Sequence, residues 1–167
     1  MITCNFEDGG KASLRHVTVN VIVLKENKIL LGKRGSYKGK PIIEFGKWGL
    51  IGGYVNRDEF LEDAVRREVM EESGWIIDNL TLLRINDNPN RPREDRQNID
   101  ITFIADAIEK KSESDEEVTS LQWFNLNEVP SFDQIAFDHG DSIELYKKYL
   151  NNKFQLPIIG KTSLLDK

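Results

Sequence analysis

The stretch GYVNRDEFLEDAVRREVMEESGW, from Gly53 to Trp75, constrains this chain more than any other. Asn56 and Glu59 stand three apart ahead of an apolar-periodic run. That is the spacing of a capping box with Asn56 as N-cap. Gly74 suits the left-handed position that ends a helix, so the pattern predicts a helix over 57–73. At about 100° per residue, Leu61, Ala64, Val65 and Val69 share a side with Glu68 and Glu72, and Glu71 sits on its edge. Glu62, Asp63 and Arg66 point elsewhere. A surface helix keeps its acids off the apolar stripe. Half-buried like charges repel and lose hydration, so something cationic should compensate. Arg67, four residues before Glu71, is one partner. One arginine does not balance three acids, and a hard divalent ion, Mg²⁺ or Mn²⁺, takes such oxygen ligands. The plainer alternative is a charged helix laced with surface ion pairs.

Around this helix the chain alternates strands and loops. RHVTVNVIVL places Val17, Val19, Val21 and Val23 on one face and His16, Thr18 and Asn20 on the other, a half-buried strand. KENKILLGKR reads as a turn and a second strand, making a hairpin. Residues 35–47 read as a loop, and GLIGGYV as short strands broken by Gly52 and Gly53. WIIDNLTLLRI, NIDITFIADA and VTSLQWF are further strands, NLNEVP is a turn or short helix, and DSIELYKKYL is an amphipathic C-terminal helix. Interspersed helices and strands predict an α/β chain, a mixed sheet with helices against it, in one domain spanning 1–167.

Net charge is −5, which argues against a nucleic-acid partner. No apolar run is long enough for a membrane span, and MITCNFEDGG has no signal-peptide core. Cys4 is the single cysteine, so the chain has no internal disulfide or cysteine cage. A cytoplasmic protein is the expectation. Charge is unevenly spread. Lys33, Arg34, Lys38, Lys40 and Lys47 stand with a single acid, Glu44, between them. That strip is either a solvated loop or a mouth for a small anion such as a phosphate ester. GKRGSYKGK has the wrong glycine spacing for a P-loop, and Pro41 stands where Ser or Thr would be needed. His16 and His139 read as packing or capping residues. Arg91, Arg93 and Arg96 lie in a long polar loop, a place where function concentrates. Tyr37, Phe45 and Trp48 either stack on a base or cover the sheet. The apolar FQLPII tail docks on its own domain or on a partner subunit, the latter making a homodimer.

The spacing Gly53, five residues, Glu59, seven residues, Arg67-Glu68-Val69, one residue, Glu71-Glu72, one residue, Gly74-Trp75 matches the Nudix box position by position. The chain resembles the Nudix (MutT-like) hydrolases over about residues 16–150. Residues 17–34 look like the family's first two strands, and FGKWGLIGGYV like its approach to the box. Two positions depart. Ile51 replaces the usual proline, which would loosen the loop carrying Gly52. Trp75 replaces an aliphatic residue, a matter of packing.

The resemblance implies a Nudix fold, a mixed β-sheet between α-helices, and hydrolysis of a nucleoside diphosphate linked to another moiety. It implies Mg²⁺, with Mn²⁺ as substitute, held by Glu68, Glu71, Glu72 and the Gly52 carbonyl. Glu59 would act from behind or through water, and Arg67 would orient the glutamates. Arg34, Lys38, Lys40 and Arg93 are the candidates for binding a small nucleotide substrate. The family often adds an acid from a later loop, for which Glu113, Asp115, Glu116 and Glu117 are the candidates here; the alternative is that this loop is simply solvated. ADP-ribose or a nucleotide sugar is the first choice of substrate, although Pro89 and Pro92 fall near the proline position of ADP-ribose enzymes without matching it. A nucleoside triphosphate is the alternative, and a non-catalytic ligand sensor a more distant one.

Overall fold

The computed structural model describes residues 2–91 and 97–160. It opens with a feature the pattern did not announce, an antiparallel ribbon of β1 (Ile2–Asn5) and β2 (Lys11–Leu14) turning through the EDGG tip. Then come β3 (Val17–Lys25) and β4 (Lys28–Arg34). Glu26 and Asn27 both take positive φ, 50° and 62°, as a tight two-residue hairpin turn requires. The expected loop after β4 holds a small hairpin of its own, β5 (Ser36–Tyr37) and β6 (Lys40–Pro41). Two short strands follow, β7 (Trp48–Gly49) and β8 (Ile51–Tyr54).

The helix, α1, spans Leu61–Ser73 and begins four residues later than the capping-box spacing indicates. Asp58 sits at φ 66° and Phe60 is extended, so the backbone cannot become helical before Leu61. Asn56 is not the N-cap. Its N–H donates to Glu59 Oε2 at 3.0 Å, a turn that precedes the helix. Leu61 stays partly exposed, while Ala64, Val65 and Val69 carry the apolar face inward. Gly74 ends the helix at φ 70°, as expected. After it come β9 (Trp75–Asn86), β10 (Ile99–Lys110), β11 (Val118–Asn125), α2 (His139–Asn152) and β12 (Ile158–Ile159).

Eight of these strands form one mixed sheet in the order β11-β4-β3-β10-β9-β12, with β7 on β4 and β8 on β3. β3 runs parallel to β10, and β9 parallel to β12; the other pairs are antiparallel. α1 packs on one face with Val19, Val21, Val23, Phe103 and Trp75. α2 packs on the other with Ile22, Leu31, Leu83 and Ile104. β3 is therefore buried on both faces rather than half-buried, and Thr18 and Asn20 lie inside. The tail covers its own domain: β12 pairs with Arg84 and Ile85, and Phe154, Leu156 and Ile158 pack beside α2. Trp75 packs edge-on against Trp123 at 5.5 Å, as the packing reading of that position anticipated.

β3 and β4 pair only at Leu24–Ile29 and Lys25–Lys28. Beyond that they diverge, and β7 and β8 occupy the opening. Ile51 does not loosen this region. It is fully buried, in register with Val21, and anchors β8.

Candidate active site

The opening between β3 and β4 holds a cleft of about 750 Å³. Glu68, Glu71 and Glu72 of α1 line one side of it, beside Gly52 and Gly53 of β8. The two glycines let the helix approach. A Cβ on Gly53 would lie 2.6 Å from both Glu68 carboxylate oxygens, and one on Gly52 would lie 2.0 Å from the Val19 carbonyl.

The three acids differ in setting. Glu72 is 7% exposed, and its Oε2 accepts the Gly52 N–H at 3.0 Å. Burial pushes its pKa up to about 8 against that bond, and the nearby Glu68 charge adds to the rise. Glu68 is half-buried; burial raises its pKa while Arg67 holds it back. The Glu71 side chain is about half exposed. Arg67 ties the group together. Its Nη1 donates to Glu68 at 2.8 Å and Glu71 at 3.0 Å, its Nε and Nη2 to Glu59 at 2.7 and 3.0 Å, and its Nη2 also to the Tyr54 carbonyl. Those bonds hold the Glu59 carboxyl down at about 2. One guanidinium thus fixes three carboxylates, Glu59, Glu68 and Glu71, whereas Glu72 is held by the Gly52 N–H instead. Among the described residues, no three Asp, Glu, His or Cys side chains are gathered into a ready-built metal cage.

The later acidic loop divides. Asp115 N–H donates to the Glu71 carbonyl at 3.0 Å and Glu117 N–H to Asp115 Oδ1 at 2.9 Å. Both side chains line the cleft, and burial, then neighbouring acids, raise both pKa values. Glu113 pairs with Lys110 instead, and Glu116 accepts the Lys38 N–H at 2.7 Å.

A sequence model of the NUDIX domain matches residues 14–146. The chain belongs to the Nudix hydrolase family. The ADP-ribose pyrophosphatase of Methanocaldococcus jannaschii is 36% identical over 81% of this chain and 75% of its own. The oxidized purine nucleoside triphosphate hydrolase of Danio rerio is 35% identical over 71% and 70%. Among solved structures, a NUDIX hydrolase from Nitrosomonas europaea superposes with a TM-score of 0.64 at 25% identity, covering 88% of this chain and 80% of that one. No helix among the described residues is long and apolar enough to cross a membrane.

In this Nudix hydrolase the basic strip reaches the cleft only in part. Arg34 and Lys40 line it. Arg34 Nε donates to the Ile43 carbonyl at 2.8 Å, and its guanidinium lies 5.1 Å from the Phe137 ring. Lys38 is not brought to the cleft; its ammonium lies over Tyr37 at 4.9 Å. Arg93, like Arg96, lies outside the described residues. Arg91 is buried and forks onto Asp138, with Nη2–Oδ1 at 2.6 Å. Tyr37 lines the cleft, Trp48 packs on Phe124, and Phe45 is exposed.

Sequence reasoning missed the cleft's other wall. Thr18, Asn20 and His139 line it from the α2 side, and behind them lies Asp100, buried on β10. His139 Nδ1 accepts the Leu50 N–H at 3.0 Å, and burial drives its pKa down to about 3. His139 is thus a neutral packing residue that holds β7 to α2; His16 packs against Tyr54. An alternating strand looks the same whether its polar face meets water or an internal network, so no local signal separated these cases.

Proposed function

We propose that this Nudix hydrolase cleaves the pyrophosphate of a nucleoside diphosphate derivative, with ADP-ribose as first substrate and Mg²⁺ as the ion it requires. The observation that carries the reading is the pairing of an acid cluster with Arg34 and Lys40 across one cleft, in a chain 36% identical to an ADP-ribose pyrophosphatase. The donor set fits such an ion. It is all oxygen, and Glu72 is a buried carboxylate whose negative form needs a cation. Mg²⁺ commonly keeps waters and shares its remaining positions between a few carboxylates and substrate phosphates, so a complete protein cage is unnecessary. Glu68, Glu71, Glu72 and the Gly52 carbonyl would hold it. Bound there, a divalent ion neutralises phosphate oxygens and acidifies water.

The chain's own residues do the rest. Arg67, braced by Glu59, fixes Glu68 and Glu71. Arg34 and Lys40 neutralise the phosphates at the opposite lip. Asp115 or Glu117, both with raised pKa, takes the proton of the attacking water. The new P–O bond forms as the anhydride P–O bond breaks, leaving two phosphomonoesters. We assign the whole chain to one Nudix domain with a short ribbon before it and a tail after it, and place it in the cytoplasm.

A nucleoside triphosphate is the second reading, supported by the 35% identity to the Danio rerio enzyme. One panel separates them: ADP-ribose, UDP-sugars and nucleoside triphosphates with Mg²⁺, followed as phosphate with and without added phosphatase and pyrophosphatase. Phosphate appearing from ADP-ribose only with phosphatase supports the first reading. Turnover confined to triphosphates, or persisting after exhaustive chelation, refutes it.

A further inference from the structure

The wall missed in the sequence has a definite hydrogen-bonding polarity. Asp100 is 2% exposed, and its carboxylate collects three donors. Thr18 Oγ1 donates to Oδ1 at 3.1 Å, Asn20 Nδ2 donates to the same oxygen, and Thr102 Oγ1 donates to Oδ2 at 3.0 Å. Burial raises the Asp100 pKa, yet a proton on Oδ2 would leave Oδ1 an acceptor, so the orientation of Thr18 and Asn20 is settled in either state. The Thr18 hydroxyl hydrogen points inward at Asp100. The Asn20 amide turns its NH₂ inward, and its Oδ1 lies 2.9 Å from where a Gly52 Cβ would stand. Thr18 and Asn20 are both cleft-lining residues. On the cleft side the Thr18 hydroxyl is left with lone pairs only, and the Asn20 amide with Oδ1 beside its second N–H.

Resting on the function proposed above, we infer that Asp100 is a positioning residue that fixes the Thr18 hydroxyl, with the Asn20 Oδ1 beside it, as a hydrogen-bond acceptor toward the cleft, which selects a donor on the nucleoside half of the substrate. The α1 acids engage the phosphates from the far side of the cleft and Arg34, beside Phe137, from this one, so the uncharged half of the nucleotide falls to the neighbouring Thr18 and Asn20. The Phe137 ring, stacked by Arg34, and the Tyr37 ring flank the same cleft and suit a flat base. The recognised donor is an exocyclic amine or a ribose hydroxyl. An analogue lacking it leaves buried acceptors unpaired, which is the situation in which polar sites discriminate strongly.

The test compares kcat/KM for ADP-ribose with two analogues. Its inosine counterpart exchanges the base amine for a carbonyl, and its 2′,3′-dideoxyadenosine counterpart lacks the two ribose hydroxyls. The parent should disfavour one of them by at least about tenfold, a factor that one unpaired buried group supplies, and the analogue affected identifies the donor. Thr18→Val should reduce that ratio to within about threefold, Thr18→Ser should restore it, and Asp100→Ala, which removes the acceptor that Thr18 donates to, should reduce it as Thr18→Val does. A merely structural role for Asp100 and Thr18 lowers all three substrates together and leaves the ratio unchanged. Equal use of all three nucleotides by the parent, or a ratio unmoved in both Thr18→Val and Asp100→Ala, overturns the inference. Should one of the two variants not fold, the other alone decides. If ADP-ribose is not cleaved, the substrate reading fails separately, and the same ratios with ATP, ITP and 2′,3′-dideoxy-ATP test the wall.

Discussion

Replacing Gly53 with alanine should separate the site from the fold. Gly53 is not held at positive φ, so alanine suits its backbone. Its added Cβ would meet both Glu68 oxygens at 2.6 Å and Cδ at 2.7 Å, where ordinary contact begins at 3.4 Å. The carboxylate must therefore retreat by about 1 Å, since the contact is the far end of a flexible side chain and it yields. Two stability terms oppose each other. Gly→Ala at a compatible position stabilises by about 0.4–1 kcal/mol through the unfolded chain. Losing the 2.8 Å Arg67–Glu68 pair at a partly exposed site costs up to about 1 kcal/mol. The variant should melt within about 1 kcal/mol of the parent. Turnover should fall about a hundredfold, the usual penalty for a 1 Å misplacement at a reacting centre. Gly52→Ala supplies the contrast. Its Cβ would meet the Val19 backbone carbonyl at 2.0 Å with φ at 153°, and neither can yield. That variant should lose at least about 2 kcal/mol. Thermal melts beside a rate assay on the best substrate read both quantities. Normal turnover in Gly53→Ala, or destabilisation as large as that of Gly52→Ala, refutes the claim that Glu68 must stand where Gly53 admits it.

Glu72→Gln keeps the carbonyl acceptor for the Gly52 N–H and removes a carboxyl that must take up a proton to be buried at neutral pH, so in chelator it should be at least as stable as the parent, by about 0.5–2 kcal/mol; melts with and without Mg²⁺ should show a smaller gain on adding the ion and a rate assay a loss of most turnover. Arg34→Ala should raise KM about tenfold, the worth of one charged hydrogen bond, as read from initial rates on the best substrate. His139 stays neutral when folded, down to about pH 3, whereas the unfolded residue takes a proton below about 6.5. Its contribution is therefore intact above pH 6.5 and lost as pH falls from there toward 3, by about 1.4 kcal/mol per unit at the limiting slope. Acid melts of His139→Gln, which still offers Leu50 an acceptor, should decline less steeply over that window.

What could be read from the sequence divides along physical lines. The glutamate face of α1 was legible because 3.6-residue periodicity places side chains without tertiary information, and Gly74 marked its end. The start at Leu61 was not. Asn56 and Glu59 do form a hydrogen bond, but Asp58 at φ 66° and the extended Phe60 delay the helix, and such dihedrals leave no trace in a capping-box pattern. That Asp115 and Glu117 line the cleft while Glu113 and Glu116 do not depends on how the loop hangs from the Glu71 carbonyl and from Gly35 and Ser36. The Arg91–Asp138 pair joins residues 47 apart, beyond any local signal.

The same glycines that reveal the family also explain why the site lies where it does. β3 and β4 share two paired positions and then part, so the sheet would be left with an opening between them. β7 and β8 line that opening, and β8 pairs with β3 along Ile51–Tyr54. For α1 to close over it, β8 must lack side chains where the helix comes nearest, at Gly53, and must lie against the β3 backbone at Gly52. Once bare, that backbone offers an N–H that Glu72 accepts and a gap that the Glu68 carboxylate enters. A bulkier strand would have kept the acids out of the sheet opening, and with them the charge that a divalent ion would neutralise. Architecture and chemistry are therefore set by one pair of adjacent residues. That is why changing Gly52 should damage the fold and changing Gly53 should damage only the reaction.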